Sequence, residues 1–186
     1  MSVSTHPTSA ALARRAGLGD GDAFAELFDR YFHPTFRHAL HMLDGDSHLA
    51  QDATQTAWMK AWQKLPDFRG DSQFQTWVFS IVSRQVLEER RRRRPVLVDA
   101  ALLEPLPARP HDAEPEVVSA REELWEALTL ALAELPWRQR AVWLLREYES
   151  MSYAEIARVL DTNPAVVRGQ LHRARATLSI RMEQWR

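Results

Sequence analysis

The chain has 186 residues, 45% of them hydrophobic, and a formal net charge of -1. That composition supports packed cores and argues against global disorder, while the charge balance offers no bulk attraction to nucleic acid. There is no cysteine, which excludes disulfides, thiol catalysis and Cys-ligated zinc; no apolar run reaches the roughly 18 residues of a membrane span, the start MSVSTHPTSAALARRAG lacks a signal-peptide core, and a soluble cytoplasmic protein without membrane insertion is expected.

Charge is uneven along the chain. Residues 1–94 carry 13 basic and 11 acidic side chains, residues 95–120 carry 1 and 5, and residues 121–186 carry 10 and 9. Two near-neutral blocks therefore flank an acidic stretch. Residues 1–18 read as a flexible N-terminal tail. A first helix is predicted over about 22–43, where Phe24, Leu27, Phe28, Tyr31, Phe32, Phe36, Ala39, Leu40 and Leu43 recur at spacings of three and four. Pro34 should kink or break it. A second helix starts near Asp46 or Ser47, both good N-caps, buries Leu49, Ala53, Ala57, Trp58, Ala61, Trp62 and Leu65, and stops at Pro66. A third follows Arg69-Gly70-Asp71 with Ser72 as its expected cap. It carries Phe74, Trp77, Val78, Ile81, Val82 and Val86, then runs into Arg90-Arg91-Arg92-Arg93-Arg94.

Residues 95–116 hold five of the ten prolines, so this stretch reads as an extended acidic linker. Beyond it four helices are predicted. Ser119 and Glu122 form a capping-box pattern for the first, ending near Leu135. Pro136 opens the next, through about Tyr148. Ser152 and Glu155 form a second capping box, for a short helix ending at Leu160. Asp161-Thr162-Asn163 is a turn, with Asn163 as N-cap and Pro164 as first residue of a last helix to about Trp185. The fold class is all-α: two small helical domains joined by the linker.

Three features point toward nucleic acid. The short capped helix, the turn and the last helix make a helix-turn-helix with Ile156, Ala157, Leu160, Val167 and Leu171 as its core. Its second helix then offers Ala165, Val166, Arg168, Gly169, Gln170, His172, Arg173 and Arg175, Arg168 and Gln170 for base edges and Arg173 and Arg175 for phosphates. An ordinary helical hairpin with solvated arginines has the same pattern. The arginine run wraps a helix end in positive charge, suited to a phosphate backbone or simply to the helix macrodipole. Trp58, Trp62, Phe68, Phe74 and Trp77 are core candidates that, beside Arg84 and Gln85, could also stack on unpaired bases. Enzyme chemistry finds no foothold. There is no phosphate-cradling glycine loop and no nucleophile elbow, and His38 and His41 share a helix face without a third ligand pattern for metal. No catalytic residue, metal or cofactor is expected.

Two motif blocks carry a family resemblance. Asp52-x-x-Gln55-x-x-Trp58-x-x-x-Trp62, then Phe68-Arg69-Gly70, Phe74-x-x-Trp77-Val78-x-x-Ile81 and the arginine cluster resemble sigma region 2. Leu135-Pro136-x-Arg138-x-Arg140-x-Val142-x-x-Leu145-Arg146, then Ser152-Tyr153-x-Glu155-Ile156-Ala157-x-x-Leu160 and Leu171-His172-Arg173-Ala174-Arg175-x-x-Leu178 resemble sigma region 4. Their order, with a linker between, is similar to the extracytoplasmic-function (ECF) group of bacterial sigma factors. The resemblance implies a transcription initiation factor with region 2 over 19–94, a linker over 95–118 and region 4 over 119–186. It implies docking of Asp52, Gln55, Trp58, Lys60 and Trp62 on the largest-subunit coiled coil of RNA polymerase core, with the beta flap as a second contact. It assigns Phe74, Trp77, Arg84, Gln85, Glu88, Arg90 and Arg91 to recognition and melting of the minus-ten element. The second helix of the helix-turn-helix falls to the minus-thirty-five element, and the acidic linker to the RNA channel. Promoter DNA and, as a further candidate, an anti-sigma factor are the other implied partners.

Some positions depart from the pattern. Arg84 stands where asparagine is usual and Glu88 where aspartate is. Val166, Gly169 and Gln170 replace Thr, Ser and Arg, while Asp161 and Thr162 replace the glycine and apolar residue of the turn. Two other functions remain open on the residues: a sigma-like competitor for core, and a helix-turn-helix regulator that binds duplex DNA by itself.

Overall fold

The computed structural model describes residues 7–93 and 115–183, with side chains over 7–92 and 123–183. Its helices are α1 (Ser9–Gly17), α2 (Gly21–Met42), α3 (Ser47–Lys64), α4 (Phe74–Arg93), α5 (Pro115–Glu134), α6 (Trp137–Glu147), α7 (Tyr153–Val159) and α8 (Pro164–Arg181), with a 3-10 turn at Leu65–Asp67. No strand occurs among the described residues. The bulk of the linker, residues 95–114, lies outside them, as do Arg94 and Trp185.

Helices α1–α4 build the first unit. The expected tail is in part a helix: α1 is capped by the Thr8 hydroxyl, which accepts from the Ala11 amide, and it buries Leu12, Ala13 and Ala16. Helix α2 is capped by Asp20 and runs through Pro34 without breaking. Proline in a helix interior costs about 3 kcal/mol, offset here by burial on both sides of it, from Leu27 to Ala39 and Leu40. Asp46, not Ser47, caps α3, accepting from the Leu49 amide at 2.9 Å. Ser72 does not cap α4; the first intrahelical bond runs from Trp77 N to Gln73 O at 3.1 Å, which puts the cap at Gln73.

Helices α5–α8 build the second unit. Helix α5 begins at Pro115, four residues before Ser119, so Ser119 lies inside the helix and is not its N-cap. Proline fits a first turn because its missing N–H would have no partner there. The other local signals hold. The Ser152–Glu155 capping box is complete, and Asn163 accepts from the Val166 amide at 3.0 Å ahead of Pro164. Ile156, Ala157, Val167 and Leu171 are buried, and Leu160 half-buried. The turn between α7 and α8 closes with Thr162 N donating to Ala157 O at 2.9 Å, and Asp161 takes φ +50°. Such a conformation favours glycine and tolerates aspartate.

The units pack on each other, α6 and α5 against α2, and α7 against α4. Arg140 of α6 is 3% exposed in this seam.

Candidate nucleic-acid interface

Helix α3 presents one exposed stripe: Asp52, Gln55, Met59 and Trp62, at spacings of three and four. Trp62 is 42% exposed and rests edge-on against Phe24, ring centroids 4.5 Å apart. Trp58, which the resemblance puts on this face and the helical spacing puts in the core, lies in the core. Its ring is 3% exposed, packs edge-to-face on Phe28 and Phe24, and its indole N–H donates to the Thr35 hydroxyl at 3.1 Å. That hydroxyl donates in turn to Tyr31 O, so Trp58 is a satisfied core residue that sets where the stripe sits. Lys60 also turns away, toward α4, where its ammonium donates to Gln85 Oε1 at 2.5 Å and lies 3.4 Å from Glu88.

Helix α4 divides its assigned residues in two. Arg84, Glu88 and Arg91 are exposed at i, i+4 and i+7, a single stripe. Trp77 lies half-buried nearer the start of the helix, 5.0 Å from the Phe68 ring. Phe74 and Gln85 are buried, at 2% and 4% exposure. Phe74 fills the aromatic core beside Tyr31, Trp58 and Phe68. Gln85 donates to Glu89 at 3.0 Å and accepts from Lys60, holding α3 to α4. Neither can touch DNA without rearrangement. Arg90 is engaged as well: its guanidinium donates to Met42 O at 2.7 Å and lies 3.3 Å from the Asp44 carboxylate.

Helix α8 exposes Ala165, Val166, Arg168, His172 and Arg173 together, with Gly169 and Gln170 at the margin. Arg168 lies over the Tyr153 ring of α7, 5.9 Å from its centroid, a cation–π position. Arg175 is tied to Glu147 of α6, at 2.6 Å. A Cβ on Gly169 would meet only the Arg173 guanidinium, at 3.8 Å, so no close approach within the fold requires glycine there.

The seam between the units buries His38 and His41, which share a face of α2, beside Arg37 and Arg140. Burial drives His38 down to about 3 and His41 to about 4, with nearby Arg37 and Arg140 adding to the effect on His41. His38 Nε2 pairs with the Ser83 hydroxyl at 3.1 Å, and its Nδ1 has no hydrogen-bond partner. Glu155 is held below the usual carboxylate range, chiefly by the Ser152 hydroxyl and backbone amide. Among the described residues no group of three His, Asp or Glu side chains is placed to hold a metal ion, and no helix is long and apolar enough to cross a membrane.

The Sigma-70 region 2 family model matches residues 27–96, and the Sigma-70, region 4 model matches residues 125–178. The chain is 33% identical to the RNA polymerase sigma-H factor of Pseudomonas aeruginosa, over 90% of each sequence. It is 31% identical to the ECF RNA polymerase sigma-E factor of Escherichia coli K12, over 97% of each. Among solved structures it is similar to CnrH in complex with the cytosolic domain of CnrY, with a TM-score of 0.67, 26% identity, and coverage of 93% of this chain and 96% of that one. It also shares the fold of the sigma factor RpoE in complex with the anti-sigma factor NepR from Bartonella quintana, with a TM-score of 0.69, 20% identity, and coverage of 86% and 96%.

Proposed function

This chain belongs to the ECF sigma factors of the sigma-70 family, non-enzymatic initiation factors that direct RNA polymerase to promoters, and on that premise we propose which of its surfaces meet polymerase and which meet DNA. The α1–α4 unit serves as the region 2 domain and the α5–α8 unit as the region 4 domain, joined by the linker that precedes Pro115. The α3 stripe of Asp52, Gln55, Met59 and Trp62 docks on the coiled coil of the largest subunit, and the second unit on the beta flap. The α4 stripe of Arg84, Glu88 and Arg91, with the open edge of Trp77, meets the minus-ten strand, where an aromatic face can hold an unstacked base. Helix α8 enters the major groove at the minus-thirty-five element, Ala165, Val166 and Arg168 leading, with Arg173 on the backbone. Trp58, Phe74, Gln85 and Lys60 act from beneath as positioning residues. The cytoplasm, where polymerase works, is the expected compartment. An anti-sigma factor is a candidate partner, as NepR is for RpoE.

One observation carries the assignment: the exposed residues of α3 and α4 form separate stripes, so one small domain can hold protein and DNA at once. Run-off transcription with purified core polymerase and a promoter library tests it. Specific transcripts are expected, and Asp52→Lys should weaken core binding with unchanged helicity. Core binding without transcripts would establish a competitor. Sequence-specific duplex binding with no affinity for core would establish a stand-alone regulator.

A further inference from the structure

The chain carries five methionines and no cysteine, so thioethers are its only sulfur groups. The fold treats the described ones differently. Met42 and Met151 are 3% and 2% exposed, and Met182 packs half-buried against the core. Met59 is 65% exposed. It stands on the outer face of α3, one turn from Gln55 and from Trp62, in the stripe that begins at Asp52. Packing inside the chain does not call for a large side chain there, because Ala53, Ala57, Trp58 and Ala61 build the side of α3 turned toward α2 and α4. Beside Met59 the Trp62 indole, its edge on Phe24, completes an apolar surface.

We propose that Met59 is a modification site: a hydroperoxide oxidises its thioether to the sulfoxide and loosens the hold of α3 on polymerase, until a thiol-dependent reductase restores it. This rests on the docking assignment above. Exposure decides which sulfur reacts, because the oxidant must reach a sulfur lone pair. That lone pair attacks one peroxide oxygen, and an S–O bond forms as the O–O bond breaks. The departing oxygen takes up the proton left on the transferred one, giving water from hydrogen peroxide. Sulfur loses two electrons and the peroxide gains them. The return step consumes two thiols of the reductase, which become a disulfide while the sulfoxide oxygen leaves as water. Position gives the product its effect. A thioether is soft and apolar and adapts to a partner's surface. A sulfoxide carries a polar oxygen that must be stripped of water when the stripe is covered. With no cysteine in the chain to react first, the exposed thioether on the docking stripe takes the oxidant.

The test treats the purified full-length chain with hydrogen peroxide, removes the oxidant with catalase and desalting, maps the added oxygen by peptide mass spectrometry and titrates core polymerase. Met59 should gain one oxygen before Met42, Met151 and Met182. Core affinity should fall roughly tenfold as the Met59 sulfoxide accumulates (about 1.4 kcal/mol), with helicity retained, and should recover with a methionine sulfoxide reductase and dithiothreitol. Met59→Leu is judged against its own untreated affinity, and its ratio of treated to untreated affinity should stay near one. Oxidation of the buried methionines first, a Met59 sulfoxide that binds core as tightly as the untreated chain, or an equal proportional loss in Met59→Leu would each overturn the proposal while leaving the docking assignment standing. An untreated, folded chain with no affinity for core would overturn the docking assignment and, with it, the role given to the sulfoxide.

Discussion

Acidification is expected to weaken the protein between about pH 6.5 and 4, before its carboxylates titrate in bulk, because His41 is buried uncharged. The ring is 5% exposed and meets the edges of Trp125 from α5 and Tyr148 at the end of α6. The charged groups around it are Arg37 on its own helix, Arg140 from α6, Asp44 in the following turn and Glu149 after α6. Both carboxylates are committed to the arginines, so none is left to stabilise an imidazolium. Burial, then Arg37 and Arg140, put its pKa at about 4 against 6.5 when free. Above pH 6.5 neither state binds the proton and the stability is fully present. As pH falls toward 4 the opened or unfolded state binds the proton and the closed state does not, so stability is lost.

The magnitude follows from the two pKa values. One such group contributes a slope of about 1.4 kcal/mol per pH unit inside the window, and by pH 5 the loss for His41 reaches about 2 kcal/mol. His38, buried against Phe79 and Ser83 of α4 and held at about 3, adds a similar loss on full unfolding. Urea denaturation followed by tryptophan fluorescence, at intervals from pH 7.5 to 4.5, measures the sum. His41→Phe isolates its share, since the ring can keep its contacts with Trp125 and Tyr148 without titrating. The variant should lose about one proton's worth of slope. An identical pH slope in parent and variant would refute the reasoning, because it would mean that His41 takes up its proton equally well in the closed seam.

Gly169→Ala should stabilise the protein by up to about 1 kcal/mol, the difference in helix propensity, since the new methyl meets only a mobile guanidinium; the urea midpoint shift reports it. Gly17→Ala should do the opposite. Its Cβ would lie 2.9 Å from the Leu65 carbonyl oxygen, a backbone atom that cannot swing aside, and overpacking of this kind costs about 1–3 kcal/mol, visible as a lowered thermal midpoint. Trp58→Phe should cost about 1–3 kcal/mol through the lost indole hydrogen bond and a partly empty site, while the affinity of the folded fraction for core polymerase stays near that of the parent.

Local chemistry made much of the second unit legible. The Ser152–Glu155 box, Asn163 followed by Pro164, and the alternation of Ile156, Val167 and Leu171 are signals confined to one or two turns, and all appear in the fold. Where the expectation failed, the deciding contact came from far along the chain. A nine-residue helix such as α1 is marginal in water and exists because Leu12 and Ala16 are buried and Gly17 fits beneath Leu65. Pro115 looks like one more linker proline until α5 extends back to it. Among the assigned site residues, the family motif named Trp58, Phe74 and Gln85 without distinguishing inside from outside. Helical spacing groups Trp58 with Ala53, Ala57 and Ala61, as found, but also counts Trp62 as buried, whereas Trp62 continues the exposed face of Asp52 and Gln55.

The seam was beyond sequence reasoning, because Arg140 and Asp44 are 96 positions apart and the motif that contains Arg140 does not point to its partner. Ion pairs within each unit bear on the near-neutral charge of both blocks, which offers no bulk attraction to DNA. Two arginines assigned to DNA already hold carboxylates: Arg90 faces Asp44 and Arg175 faces Glu147. On the proposed function, engaging a promoter is an exchange in which phosphate replaces carboxylate on the same guanidinium. Exposed pairs of this type contribute only about 0–1 kcal/mol each, so a DNA backbone positioned by polymerase can displace them. Free duplex, without that positioning, gains little from the exchange. Internal carboxylates on DNA-facing arginines thus provide a physical route to a factor that binds promoters through polymerase and leaves bare DNA alone.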